Sequence, residues 1–212
     1  MAENATLAVP TPLDLEKLKR APEDLGLDPL IAGRWSPRGF SGRPISADDL
    51  STIFSAATWA ASSYNEQPWR FLAGRNGDAT FQKIFDCLGE FNQAWAKSAA
   101  VVVLSAAKKT FSHSGAPNRF AMHDTGAATA TMTLQAIALG IHSHGMGGFD
   151  ADKARAAFNI PDDFEIGAVT ALGYLGDASS LPENYQKQET AARSRKPLTE
   201  VVFSEWEQPA KF

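Results

Sequence analysis

Two basic segments near opposite ends of the chain carry the residue types that bind an oxyanion: Arg34-Trp35-Ser36-Pro37-Arg38 and Arg193-Ser194-Arg195-Lys196-Pro197. Each sets guanidinium groups beside a hydroxyl. The planar fork of arginine matches two phosphate oxygens at once, and serine adds a neutral donor to the same group. If the fold brings the ends together, the two segments close on one phosphorylated ligand. Left apart, they are two solvated basic loops.

A third stretch, Gly145-Met146-Gly147-Gly148-Phe149-Asp150, lies between an expected strand and an expected helix cap. Adjacent glycines let backbone amides approach a planar ligand without Cβ interference, and such amides donate to a ring nitrogen or an oxyanion. The alternative is a tight turn. Other chemistries are poorly served. No G-x-S-x-G occurs, and Cys87 falls in an apolar helical pattern as a small buried hydrophobe. His142-Ser143-His144, with His113 and His123 upstream, suggests histidines at a helix–loop junction that donate to backbone or ligand, and no metal is expected. Neither a phosphate-binding G-x-x-x-x-G-K-[ST] loop nor a dinucleotide G-x-G-x-x-G turn stands between a strand and a helix.

The 212 residues suffice for one sizeable domain, and a formal net charge of -4 with a pI near 5.6 speaks against nucleic acid as partner. One cysteine precludes an internal disulfide. The N-terminal residues show no basic stretch followed by an apolar one, so no signal peptide is expected. Residues 120–141 hold His123, Asp124 and several threonines and are too polar to span a bilayer. The expectation is a cytoplasmic protein with no membrane partner.

The elements that must position these residues follow from periodicity. Residues 1–11 read as a loose arm, followed by short helices around Leu13, Leu15 and Leu18 and over 29–35. Ser46 with Asp49 three residues later signals a helix start, and Leu50, Ile53, Phe54 and Ala57 keep helical spacing. Residues 61–68 are loop, 69–73 a strand, Gly74-Arg75-Asn76-Gly77 a turn, and 78–88 an amphipathic helix. Val101-Val102-Val103-Leu104 marks a strand buried on both faces over 99–106. Residues 118–139 predict a long helix crowded with small side chains and closed by Gly140. Asp150 caps a helix over 151–158, and 164–174 is a second core strand. Residues 198–203 form an apolar, β-branched segment with no partner nearby in sequence. Few strands, many helices and no regular βαβ alternation predict an α+β fold.

Five motifs occur in order: Arg34-Trp-Ser-Pro-Arg38-Gly-Phe40, Ala61-Ser-Ser-Tyr-Asn65-Glu-Gln67-Pro-Trp69, Asp124-Thr-Gly126-Ala-Ala128, Gly145-Met-Gly-Gly148-Phe-Asp150 and Arg193-Ser-Arg195-Lys-Pro197. The chain thereby resembles the FMN-dependent nitroreductase family from about residue 29 to 202. The resemblance implies an arm over 1–28 and one domain over 29–212. It also implies a central, mostly antiparallel sheet flanked by helices, in an intertwined homodimer whose C-terminal strand is exchanged. FMN is then the cofactor, at subunit-interface clefts, with NAD(P)H as electron donor. Arg34, Ser36, Arg193 and Arg195 would hold the phosphate, with Trp35 alongside and acting mainly through its backbone. Arg38 would reach the pyrimidine edge of the flavin as counter-charge, with Asn92 nearby. Ser62, Ser63 and Asn65 would come from the other subunit, and the amides of Gly147 and Gly148 would lie near N5, with no side chain as catalytic acid or base. Ala61 stands where many members have proline, and Gly147 where some carry glutamate. The implied activity is reduction of nitroaromatics, quinones or activated alkenes by ping-pong hydride transfer. Alternatives are a flavin-sequestering or redox-sensing protein, a specialised flavin enzyme such as a reductive dehalogenase, and a structural module without cofactor.

Overall fold

The computed structural model describes residues 10–211. The expected loose arm over 1–11 falls almost wholly outside them. The first helix, α1 (Pro12–Lys19), is fixed by a capping box in which Thr11 and Asp14 exchange hydrogen bonds. α2 (Pro29–Gly33) begins at an Asp28 cap, and α3 (Ala47–Thr58) at Ser46, whose hydroxyl accepts the Asp49 amide at 3.0 Å. β1 (Trp69–Arg75), α4 (Ala79–Cys87), α5 (Glu90–Ala96), β2 (Val101–Lys108) and α6 (Ala121–Ala138) follow. The chain continues through β3 (His142–Met146), α7 (Ala151–Phe158), β4 (Phe164–Gly173) and α8 (Glu183–Thr190).

The main sheet is antiparallel throughout, in the order β1-β2-β4-β3. Alternation along β2 serves two cores. Val102 and Leu104 pack with Phe81, Ile84 and Trp95, whereas Val101 and Val103 pack with Ile53, Ala128 and Met132. Helices therefore cover both faces, and β2 has no solvent side. This is the expected α+β arrangement. Among the described residues no helix is long and apolar enough to cross a membrane.

Three local expectations are corrected. Gly74 lies inside β1 rather than in a turn, because the α4 N-terminus crosses it so closely that a Cβ would sit 2.1 Å from the Phe81 nitrogen. His142 and His144 are on edge strand β3, paired with Gly173 and Ala171, rather than at a helix–loop junction. Residues 198–203 are not an unpartnered strand. Leu198–Glu200 is a 3-10 turn, and β5 (Phe203–Glu205) pairs with β6 (Gln208–Pro209) in a local hairpin.

Candidate functional site

α2 ends at Gly33, and the chain leaves it extended at Arg34 to run beside β3. Here Arg34, Trp35, Ser36 and Arg38 meet Arg193 and Arg195 from the other end of the chain. Together they line one cleft of about 230 Å³, and Lys19, Gln188 and Glu189 complete its wall. Five cationic side chains thus face one carboxylate. Burial, and then the Arg195 charge, lower the pKa of both Arg34 and Arg193.

The cleft is braced from below. Trp35 is buried on Leu15 and Ala178. Glu189, 1% exposed, accepts the Arg38 amide at 2.9 and 3.0 Å and the Gly39 amide at 2.9 Å. Burial raises its pKa, opposed by these amides and then by the Arg38 and Lys19 charges. Arg193 Nη1 donates to the carbonyls of Lys19 and Ala32, so this arginine ties α1 to α2 as well as lining the cleft. Arg34 Nη1 donates to Ser36 Oγ at 3.4 Å. Among the described residues, Arg38 Nε and Trp35 Nε1 are buried and have no hydrogen-bond partner. Donors only, facing a surplus of positive charge, fit a phosphate group.

The glycine turn adjoins this cleft through α5 and β3. Gly148 O accepts from the Gly89 amide at 3.0 Å and from Asn92 Nδ2 at 2.9 Å. Phe91, one residue before, lies 5.8 Å beneath the Arg38 guanidinium. Trp95 stacks at 4.5 Å on His144, whose Nδ1 donates to the Pro37 carbonyl at 2.9 Å. That bond fixes the His144 tautomer. Burial first, then the Arg38 and Arg34 charges, lower its pKa to about 4, against the Pro37 and Ser36 backbone contacts. Gly147 and Gly148 themselves are exposed.

Ser62, Ser63 and Asn65 do not line the cleft formed by their own chain. They form a strained loop in which Tyr64, Asn65 and Gln67 hold φ of 54°, 53° and 51°. Buried Asp124 on α6 accepts the Ser63 amide at 2.9 Å, and Ser62 Oγ accepts the Gln67 amide at 3.0 Å. The histidines are dispersed, and among the described residues no three His, Cys, Asp or Glu side chains converge on a metal position. Cys87, at the end of α4, donates to the Lys83 carbonyl at 3.1 Å, and burial pushes its pKa up.

Lys19 and Glu189 join the site without belonging to any motif. One signal marks Lys19: it lies one helical turn after buried Leu15, on the same face. Glu189 carries the same weak signal, four residues after buried Tyr185 on the otherwise polar α8.

The nitroreductase family model matches residues 31–90 and 75–174. A 15.4 kDa protein of Mycolicibacterium smegmatis is 34% identical over 149 residues, covering 66% of this chain and 99% of that protein. A protein of Archaeoglobus fulgidus with the provisional name NADH dehydrogenase/NAD(P)H nitroreductase is 31% identical over 158 residues, covering 73% of this chain and 88% of its own. The crystal structure of an oxidoreductase containing FMN superposes with a TM-score of 0.80 at 40% identity, over 84% of this chain and 91% of that one. The family match spans the sheet and the first four of the five motifs, and with the 34% identical relative it shows that the chain belongs to the nitroreductase family.

Proposed function

We propose that this protein is an FMN-dependent NAD(P)H oxidoreductase that reduces electron-poor acceptors such as nitroaromatics, quinones or activated alkenes. The observation that carries the reading is the convergence of the two chain ends on one cationic cleft with orphaned donors. The name of the Archaeoglobus fulgidus relative and the FMN of the solved neighbour support it. When bound, FMN supplies a ring that takes a hydride from a nicotinamide and gives it to the acceptor.

The chain's own task is orientation and electrostatics. Arg34, Ser36, Arg193 and Arg195 hold the phosphate, with Trp35 as floor. Arg38 supplies positive charge where the reduced ring becomes anionic. Asn92 sets the Gly147-Gly148 turn against the ring through its bond to the Gly148 carbonyl.

The working unit is a homodimer in which Ser62, Ser63 and Asn65 serve the partner's cleft. Trp59 is 88% exposed and Tyr64 83%, the kind of apolar surface a partner covers. The segment over 198–211, with Leu198, Val201 and Trp206 exposed, is the part of this surface that reaches across.

The test is an absorption spectrum of the purified protein with FMN, before and after NADH or NADPH without oxygen, followed by addition of a quinone or nitroaromatic. Bleaching by the nicotinamide and recovery on adding the acceptor is the expected result. Flavin binding without turnover indicates a sequestering or sensing protein, and absence of FMN binding overturns the assignment.

A further inference from the structure

Neither basic segment supplies one wall of the cleft. Lys19, the last residue of α1, is 4% exposed, and its Nζ donates to the carbonyls of Gln188 at 3.3 Å and of Ala191, at the C-terminal end of α8. It also lies 5.1 Å from the centroid of the Trp35 ring. An ammonium carries three N–H donors, so two are spent on α8 and the third is free for a ligand in the cleft. Among the described residues Lys19 forms no salt bridge. Glu189, the one carboxylate lining the cleft, has its oxygens engaged by the Arg38 and Gly39 amides. Burying an ammonium is costly unless anions share its surroundings; burial lowers the Lys19 pKa, the Glu189 charge offsets part of that, and the Arg193 and Arg38 charges add repulsion.

The same helix grips the cleft at further points. Leu15 packs on Trp35. Arg193 donates to the Lys19 carbonyl. Glu16 faces His142 Nε2 at 3.4 Å, and the His142 ring meets Trp35 edge-on at 6.2 Å. Movement of α1 therefore disturbs both the floor and the wall of the cleft.

We propose that Lys19 is a further phosphate-binding cation of this cleft, and that through it the docking of α1 and the binding of the cofactor phosphate are coupled. This rests on the reading of the cleft as the FMN site. An anion shared by Lys19 and the arginines relieves their repulsion and holds α1 down. By reciprocity, docked α1 tightens the hold on the phosphate.

The experiment titrates flavin-free wild type, Lys19→Met and Lys19→Arg with FMN and with riboflavin, following flavin fluorescence. It also follows tryptic cleavage after the exposed Lys17 and Arg20 with each flavin present. Lys19→Met is expected to bind FMN at least tenfold more weakly with riboflavin binding within twofold of wild type, and Lys19→Arg to recover part of the loss. FMN, and not riboflavin, slows cleavage of the wild-type arm, and this protection disappears in Lys19→Met. Unchanged FMN affinity in Lys19→Met, or equal losses for FMN and riboflavin, overturns the proposal. If Lys19→Met does not fold, the wild-type cleavage decides alone, and an arm cut equally fast with and without FMN overturns the coupling. A wild-type protein that binds no FMN at all refutes instead the reading of the cleft on which the proposal stands.

Discussion

The side-chain amide of Asn92 donates to the Gly148 carbonyl at 2.9 Å, beside the Gly89 amide that donates to the same oxygen. Asn92 is buried, and a Cβ on Gly148 would come within 3.0 Å of its Nδ2. The pair pins the glycine turn to the start of α5. Asn92→Ala leaves that oxygen with one donor and is expected to cost ~1 kcal/mol of stability, read as a lower urea midpoint at constant slope. An unchanged midpoint would mean that the Gly89 amide alone fixes the turn.

Much of this arrangement can be read from the chain. Val101-Val102-Val103-Leu104 declares a strand covered on both sides, and Ser46 and Asp150 declare their helices by capping. Arg34, Ser36, Arg38, Arg193 and Arg195 are legible because arginine and serine in short spacing have a specific chemistry. What holds them is less so. α5 has seven residues, too few for a period to emerge, and α8 reads Glu-Asn-Tyr-Gln-Lys-Gln-Glu-Thr, in which Tyr185 alone is apolar and no period can show. Yet these two helices supply Phe91 and Glu189, together with Asn92, which only the family resemblance marks. Gly74 misleads for a different reason. In sequence it resembles a turn glycine, and what requires it is the backbone of α4, which no local pattern reveals.

The arginines of the cleft are expected to separate by role. Arg195 Nη1 donates to the adjacent Ser194 carbonyl, and Arg34 reaches no further than Ser36. Arg193 instead bridges Lys19 and Ala32. Arg34→Ala and Arg195→Ala should each weaken FMN binding about tenfold or more, the loss of one charge-assisted hydrogen bond, with little change in Tm or riboflavin binding. Arg193→Ala should lower both FMN affinity and Tm. Titration and thermal melting of the three variants check this, and equal Tm losses in all three would remove the distinction.

Gly74→Ala tests the crossing of β1 by α4. Its Cβ would lie 2.1 Å from the Phe81 nitrogen and 2.5 Å from the Phe81 Cα, both backbone atoms that no rotamer change can move. Strand and helix must part, at a cost of ~3 kcal/mol. Gly77→Ala is a poor control, because φ there is +96° and strain would add to it. Gly126→Ala, with open space around its Cβ site within α6, should instead be neutral or slightly stabilising. Urea unfolding of the two variants gives the comparison, and equal midpoints would show that α4 can shift freely on the sheet.

His144 makes stability depend on acid. Its ring lies between Trp95 and the Pro37 carbonyl, and its pKa falls from 6.5 to about 4. In the unfolded chain it takes up a proton as pH drops below about 6.5, whereas in the folded chain it does so only near 4. Between those values the unfolded state binds more protons, so stability must fall as pH falls and is fully retained above the window. The loss attributable to this residue is about 2–3 kcal/mol. His144→Asn keeps an amide donor for the Pro37 carbonyl and removes the titration. Comparing urea unfolding free energies at pH 7 and pH 4 cancels the carboxylates common to both proteins. Wild type should lose about 2–3 kcal/mol more than the variant over that interval. Equal losses would mean that the imidazole accepts its proton in the folded protein as readily as in water, and that neither burial nor the neighbouring Arg38 and Arg34 charges govern it.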